Sequence, residues 1–131
     1  MLRWKMILAV AALKERKACA QPAGARVREI GKQALSGPFV GMEASLVEVS
    51  YPSGGRSAEH RHPGFILGYV LEGQIRFEIN REIPRVLRRG ETFYEPAGVL
   101  HSTSENAQPE MPAKILAFMV APPGRPVVEE K

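Results

Sequence analysis

The chain contains three histidines, His60, His62 and His101, and their placement is its first chemical signal. His60 and His62 lie two residues apart in the run GGRSAEHRHPG, Gly54 to Gly64. On extended backbone successive side chains alternate sides, so this spacing puts both imidazoles on one face. Neutral imidazole is the commonest metal-ligating side chain, and two on one face make half of a chelate. His101 follows the turn Pro96-Ala97-Gly98, with another turn upstream at Gly90-Glu91. A histidine pair alone describes a solvated strand equally well, so the third histidine and its surroundings carry the weight.

The acidic residues are all glutamate. Without aspartate, an Asp-based catalytic triad and an Asp-rich calcium loop are excluded. Glu95 and Glu105 are the carboxylates near His101 in sequence. Either is a candidate general base or fourth metal ligand, against the ordinary reading of a solvated turn glutamate. No nucleophile elbow, phosphate loop or paired-carboxylate motif competes with the histidines. Cys19 is the one cysteine, which excludes an intrachain disulfide.

A chain of 131 residues has the size of one domain with a single core. The net charge of +4 is unevenly placed. Residues 1–20 carry Arg3, Lys5, Lys14, Arg16 and Lys17 against Glu15, whereas residues 21–131 balance thirteen basic with thirteen acidic residues. A nucleic-acid binder carries its basic patch on the folded domain, so the neutral domain argues against that class. Residues 1–20 read as a secretory leader, with a basic start, an apolar run from Met6 to Leu13 and the site Ala18-Cys19-Ala20. The charged run Lys14–Lys17 interrupts that pattern and supports the alternative, a retained basic segment. The first reading implies a periplasmic or secreted protein, the second a cytoplasmic one. The apolar run is too short to span a bilayer.

Short alternating or apolar segments separated by turn residues fill the rest of the chain. Val27–Ile30 predicts an edge strand, and Ala44–Val49 alternates as a strand. Ser57–His62 predicts the strand bearing the first two histidines. Phe65–Leu71, nearly all apolar, predicts a strand buried on both faces. Gln74–Asn80 places Ile75, Phe77 and Ile79 on one side. Val86–Arg89, Thr92–Glu95, Leu100–Ser104 and Lys114–Val120 complete the set, and a proline-rich tail follows from Ala121. This pattern predicts an all-β sandwich or small barrel. If the first histidine strand ran on unbulged, Ile66, Gly68 and Val70 would share the histidine face, Ile66 as an apolar neighbour and Gly68 leaving room for a ligand. Phe77, Phe93, Phe118 and Met119 are candidates for the cavity wall or for plain core.

The spacing Gly54, five residues, His60-Arg61-His62 and Gly73, followed by Gly90, five residues, Pro96-Ala97-Gly98, two residues and His101, resembles the two motifs of the cupin superfamily. The motifs cover about 54–73 and 90–105 of a domain at 21–131. The resemblance implies a jelly-roll-like antiparallel β-barrel behind a short N-terminal extension, of the small quercetin-dioxygenase-like kind. It implies His60, His62 and His101 as ligands of one divalent transition-metal ion, Fe, Mn, Ni, Cu or Zn. The family's first-motif glutamate, seven residues before the terminal glycine, is here Ile66. The position four after the last histidine, usually asparagine, is Glu105, with Asn106 beside it. Three-histidine cupins include dioxygenases acting on thiols and diketones, so the resemblance implies a small-molecule metallo-oxidoreductase. A non-catalytic ligand- or metal-binding cupin is the alternative, and a metal-free isomerase of the sugar-epimerase kind a third. Cupins commonly pair, so a homodimer is expected.

Overall fold

The computed structural model describes residues 24–129; the leader or basic segment at 1–20 and Cys19 lie outside the described residues. Nine strands follow in order: β1 (Arg26–Ala34), β2 (Glu43–Tyr51), β3 (Arg56–Ser57), β4 (Phe65–Glu72), β5 (Gln74–Ile79), β6 (Arg85–Arg88), β7 (Thr92–Glu95), β8 (His101–Asn106) and β9 (Ala113–Ala121). They form two antiparallel sheets, ordered β1-β2-β9-β4-β7 and β3-β8-β5-β6. The core lies between them, with Tyr51, Ile66, Val70, Ile75, Phe77, Phe93, Ile115 and Met119 buried. Facing sheets bury the inward residues of alternating strands, so the period-2 pattern and the fold are one observation.

The strand carrying the first histidines is shorter than its pattern predicts. β3 ends at Ser57, and His60 and Arg61 make only single antiparallel bridges, to His101 and Glu129. The expected two-sided burial of Phe65–Leu71 is also absent. β4 buries Ile66, Gly68 and Val70 and leaves Phe65, Leu67 and Tyr69 exposed on the outside. Among the described residues only the inner face of this sheet is covered, and apolar residues populate the outer face nonetheless. In register across that face lie Leu46, Phe118, Leu67 and Tyr94. β1, at the sheet edge, is exposed at all nine residues. The proline-rich tail is not a loose end: it returns to the domain, where Val127 packs against the core and Glu129 exchanges two backbone hydrogen bonds with Arg61.

Candidate metal centre

The three histidines meet at the inner side of the β-sandwich. Their ligand atoms lie within 4.8 Å of one another. His60 is held by its bridge to His101, N–H to carbonyl in both directions at 3.3 and 2.8 Å. The two-residue spacing keeps His62 on the same side, its ring edge-on to that of His60 with centroids 4.7 Å apart. His101 reaches the inside by a different route. The β5–β8 register shifts between Glu78 and Ile79, where Thr103 pairs with Glu78 and His101 with Ile79. Ser102 is therefore the extra residue of a bulge, and its hydroxyl donates to Glu78 and accepts from the Arg81 N–H. Bulges re-aim side chains; this one lets His101, Ser104 and Asn106 all be buried, although simple alternation would oppose His101 to the other two.

The bulge also decides the fate of Glu105. Alternation from His101 predicts it on the site side, but it faces outward and pairs with Arg76 at 3.1 Å. Asn106 turns in instead, bonding Pro52 and Met111 carbonyls. Glu95 behaves oppositely. It is 1% exposed, against the solvated turn position that ordinary statistics favour. Its Oε1 lies 3.2 Å from His101 Nδ1 and its Oε2 3.6 Å from His62 Nε2.

Hydrogen bonding fixes two tautomers. His60 Nδ1 lies 2.6 Å from the Ala58 carbonyl and His62 Nδ1 2.6 Å from the Val127 carbonyl. A carbonyl oxygen only accepts, so both Nδ1 atoms carry the proton and both Nε2 atoms are bare. Those bare atoms face each other at 3.1 Å with no proton left to share. Fixing the tautomer through the far nitrogen is how metal-ligating histidines are oriented. Burial pushes the imidazoles of His60 and His62 down, His60 to about 4, so both stay neutral and able to ligate near pH 7. The Nε2 of His101 and the Oε2 of Glu95 are buried without a hydrogen-bond partner among the described residues, while His101 Nδ1 faces Glu95 Oε1. Orphaned buried polar atoms are rare, and here they adjoin two lone pairs aimed at one point. The donor set fits a first-row divalent ion.

The Val127 carbonyl belongs to the returning tail, so the tail helps orient the His62 imidazole. A chain ending at Arg125 is expected to keep the barrel and to bind Zn(II) roughly tenfold more weakly, measured by competition with a chromophoric chelator. Unchanged affinity would refute the orienting role.

A cavity of about 500 Å³ opens beside the histidines. Its walls include Val47, Val49, Ile66, Phe93, Ile115 and Met119, with Tyr51 and Ser104 as polar points and Val127 and Val128 at the tail side. Tyr51 and Ser104 share a 2.6 Å hydrogen bond, and burial raises the Tyr51 phenol above its ordinary range. Ile66 and Phe93 thus line the cavity. Gly68 leaves no room for a ligand, because the Phe93 ring occupies the space its missing side chain frees. Phe77 is core, its ring 4.9 Å from both Phe93 and His101. Phe118 lies on the outer face by strand parity, its neighbour Met119 pointing in. Tyr51 and the tail valines were not signalled by motif spacing, because only the closed fold brings them to the histidines.

A family model described as a cupin domain matches residues 47–119. A comparison with curated proteins finds none that matches. Among solved structures the chain is similar to the DMSP lyase DddQ from Ruegeria pomeroyi DSS-3, with TM-score 0.63 and 21% identity over 79% of this chain and 50% of that one. It is similar to an oxalate oxidase in complex with glycolate, with TM-score 0.60 and 26% identity over 76% of this chain and 52% of that one. An uncharacterized conserved protein with a double-stranded β-helix domain from Klebsiella pneumoniae gives TM-score 0.63 and 21% identity over 83% and 87%. The chain thus spans about half the length of the lyase and the oxidase.

Proposed function

The chain is a member of the cupin family, and we propose that it binds one divalent transition-metal ion on His60, His62 and His101 and acts on a small organic molecule as a dioxygenase-like oxidoreductase. The observation that carries the metal is the convergence of two bare Nε2 atoms at 3.1 Å. Two lone pairs held that close repel unless a cation lies between them. Three protein donors with positions left open is the build of a reactive site, whereas structural sites are closed. A redox-active ion held there would supply electron transfer between an organic substrate and dioxygen. The walls of Val47, Ile66, Ile115 and Met119 would exclude water and take an apolar substrate body, with the Tyr51 and Ser104 hydroxyls offering hydrogen bonds to a polar end. The similarity to an oxalate oxidase supports redox chemistry in this fold without naming the substrate.

The test is metal content after purification without a polyhistidine tag, followed by oxygen uptake with Fe(II) over a panel of thiols, diketones and flavonols. Stoichiometric redox-active metal with chelator-sensitive uptake is expected. Tight metal binding without turnover on any substrate would favour the non-catalytic cupin, and turnover undiminished by chelator the metal-free isomerase.

The exposed outer face of Phe65, Leu67, Tyr69, Tyr94 and Phe118 supports a homodimer. Contiguous apolar area of this kind on a soluble protein marks an interface, and a patch centred on Leu67 can meet its own copy about a two-fold axis. Leu67→Glu is expected to give monomers by sedimentation; dimers from that variant would exclude this face.

A further inference from the structure

We propose that Glu95 is the carboxylate donor of this site, reaching the ion from the strand opposite Ile66. The inference rests on the three-histidine reading above and adds a fourth protein ligand to it. β4 and β7 pair Ile66 directly with Glu95. Side chains at directly opposed positions of an antiparallel pair share a face with Cβ atoms about 5 Å apart. A carboxylate at 95 therefore reaches the same space as a side chain at 66, the position where the family motif carries its glutamate. The acid is missing from one strand and present on its neighbour, at the same level of the ladder.

Contacts point the same way. Glu95 is 1% exposed, and among the described residues its ion-pair neighbours are His62 and His101, with no lysine or arginine. A buried carboxylate demands a cation or several hydrogen bonds. Its Oε2 has no hydrogen bond and lies 3.6 Å from His62 Nε2. That nitrogen has no proton to offer, since the proton of His62 is on Nδ1 and committed to Val127. An acceptor facing an acceptor is explained by an ion between them. Bonds of about 2.1 Å meeting at 90–109° separate two donor atoms by roughly 3.0–3.4 Å. The 3.1 Å between His60 and His62 falls in that range and the 3.6 Å between His62 and Glu95 just beyond it. The competing role, orientation of His101 alone, accounts for Oε1 and leaves Oε2 without a purpose.

Co(II) serves as the probe, because its visible absorption reports the donor set independently of turnover. Affinity and spectrum are compared in the full-length protein, in Glu95→Gln and in the exchange variant Ile66→Glu/Glu95→Ile. Glu95→Gln, which keeps shape and removes charge, is expected to bind Co(II) roughly 10–100-fold more weakly with an altered spectrum, and the exchange to recover most of both. Equal affinity and spectrum in Glu95→Gln would overturn the proposal. So would weakened binding with an unaltered spectrum, the signature of an orienting residue outside the donor set. Failure of the unsubstituted protein to bind Co(II) would instead remove the three-histidine site itself. Should the exchange variant not fold by circular dichroism, the glutamine variant decides alone.

Discussion

Replacing His62 with alanine is expected to abolish metal binding while leaving a folded barrel. The ring is one of the two whose protons are committed to backbone carbonyls, so its removal deletes a preorganised donor. Two imidazoles would remain, and affinity should fall by at least about 100-fold, beyond the 10–100-fold typical of losing a mere orienting partner. The fold should survive because the core cluster does not include His62 and the deletion also relieves the burial of a polar ring. The freed Val127 carbonyl would cost about 1 kcal/mol. Thermal unfolding with and without Zn(II) separates the two effects. A metal that binds only the folded state adds about 4 kcal/mol at a thousandfold excess over its dissociation constant. The unsubstituted protein should show an upward shift on that scale and His62→Ala none. A variant still stabilised by Zn(II) would remove His62 from the ligand set.

Gly64→Ala should be the most damaging single methyl group in the motif segment. A Cβ at 64 would overlap the Val120 carbonyl and crowd Ala121. Those are backbone and side-chain atoms of β9, which lies between β2 and β4 in the sheet and has no direction in which to yield. Overpacking by a methylene typically costs 1–3 kcal/mol, and contact with unyielding backbone puts this site at the upper end, about 3 kcal/mol. For a domain of this size that lowers the melting temperature by roughly 10 °C. A shift within 2 °C would show that the segment moves away from β9 freely. The comparison with Gly68 is instructive, since the atoms crowding its missing Cβ belong to the Phe93 side chain. Gly68→Ala can be relieved by a ring displacement and should be milder.

These two glycines show what was legible in the sequence and what was not. The histidine spacing and the glycine and proline positions around it declared the fold family, and alternation declared most strands. Two-sided burial of Phe65–Leu71 failed because a run of apolar residues looks the same whether its second face meets protein or solvent. Glu105 failed because one bulged residue, Ser102, inverts the parity of everything after His101, and a serine in a polar strand announces nothing. Glu95, a candidate base or ligand by its nearness to His101 in sequence, is buried for a reason that sequence does not carry. Its place before a Pro-Ala-Gly turn reads as surface, while the register with Ile66 that buries it exists only after β4 and β7 pair. Strand parity is a local property, and sites are assembled from non-local ones.

The returning tail binds two events into one equilibrium. Val127 and Val128 wall the cavity, and the same Val127 carbonyl fixes the proton of His62. If the tail lifts to admit a substrate, His62 loses its imposed tautomer at that moment. Linkage is reciprocal, so an ion that prefers the oriented imidazole must hold the tail down by the same factor by which an open tail weakens the ion. An ion held there would thereby steady the tail against the cavity it walls, and a substrate that displaced the tail would compete with the ion without touching it.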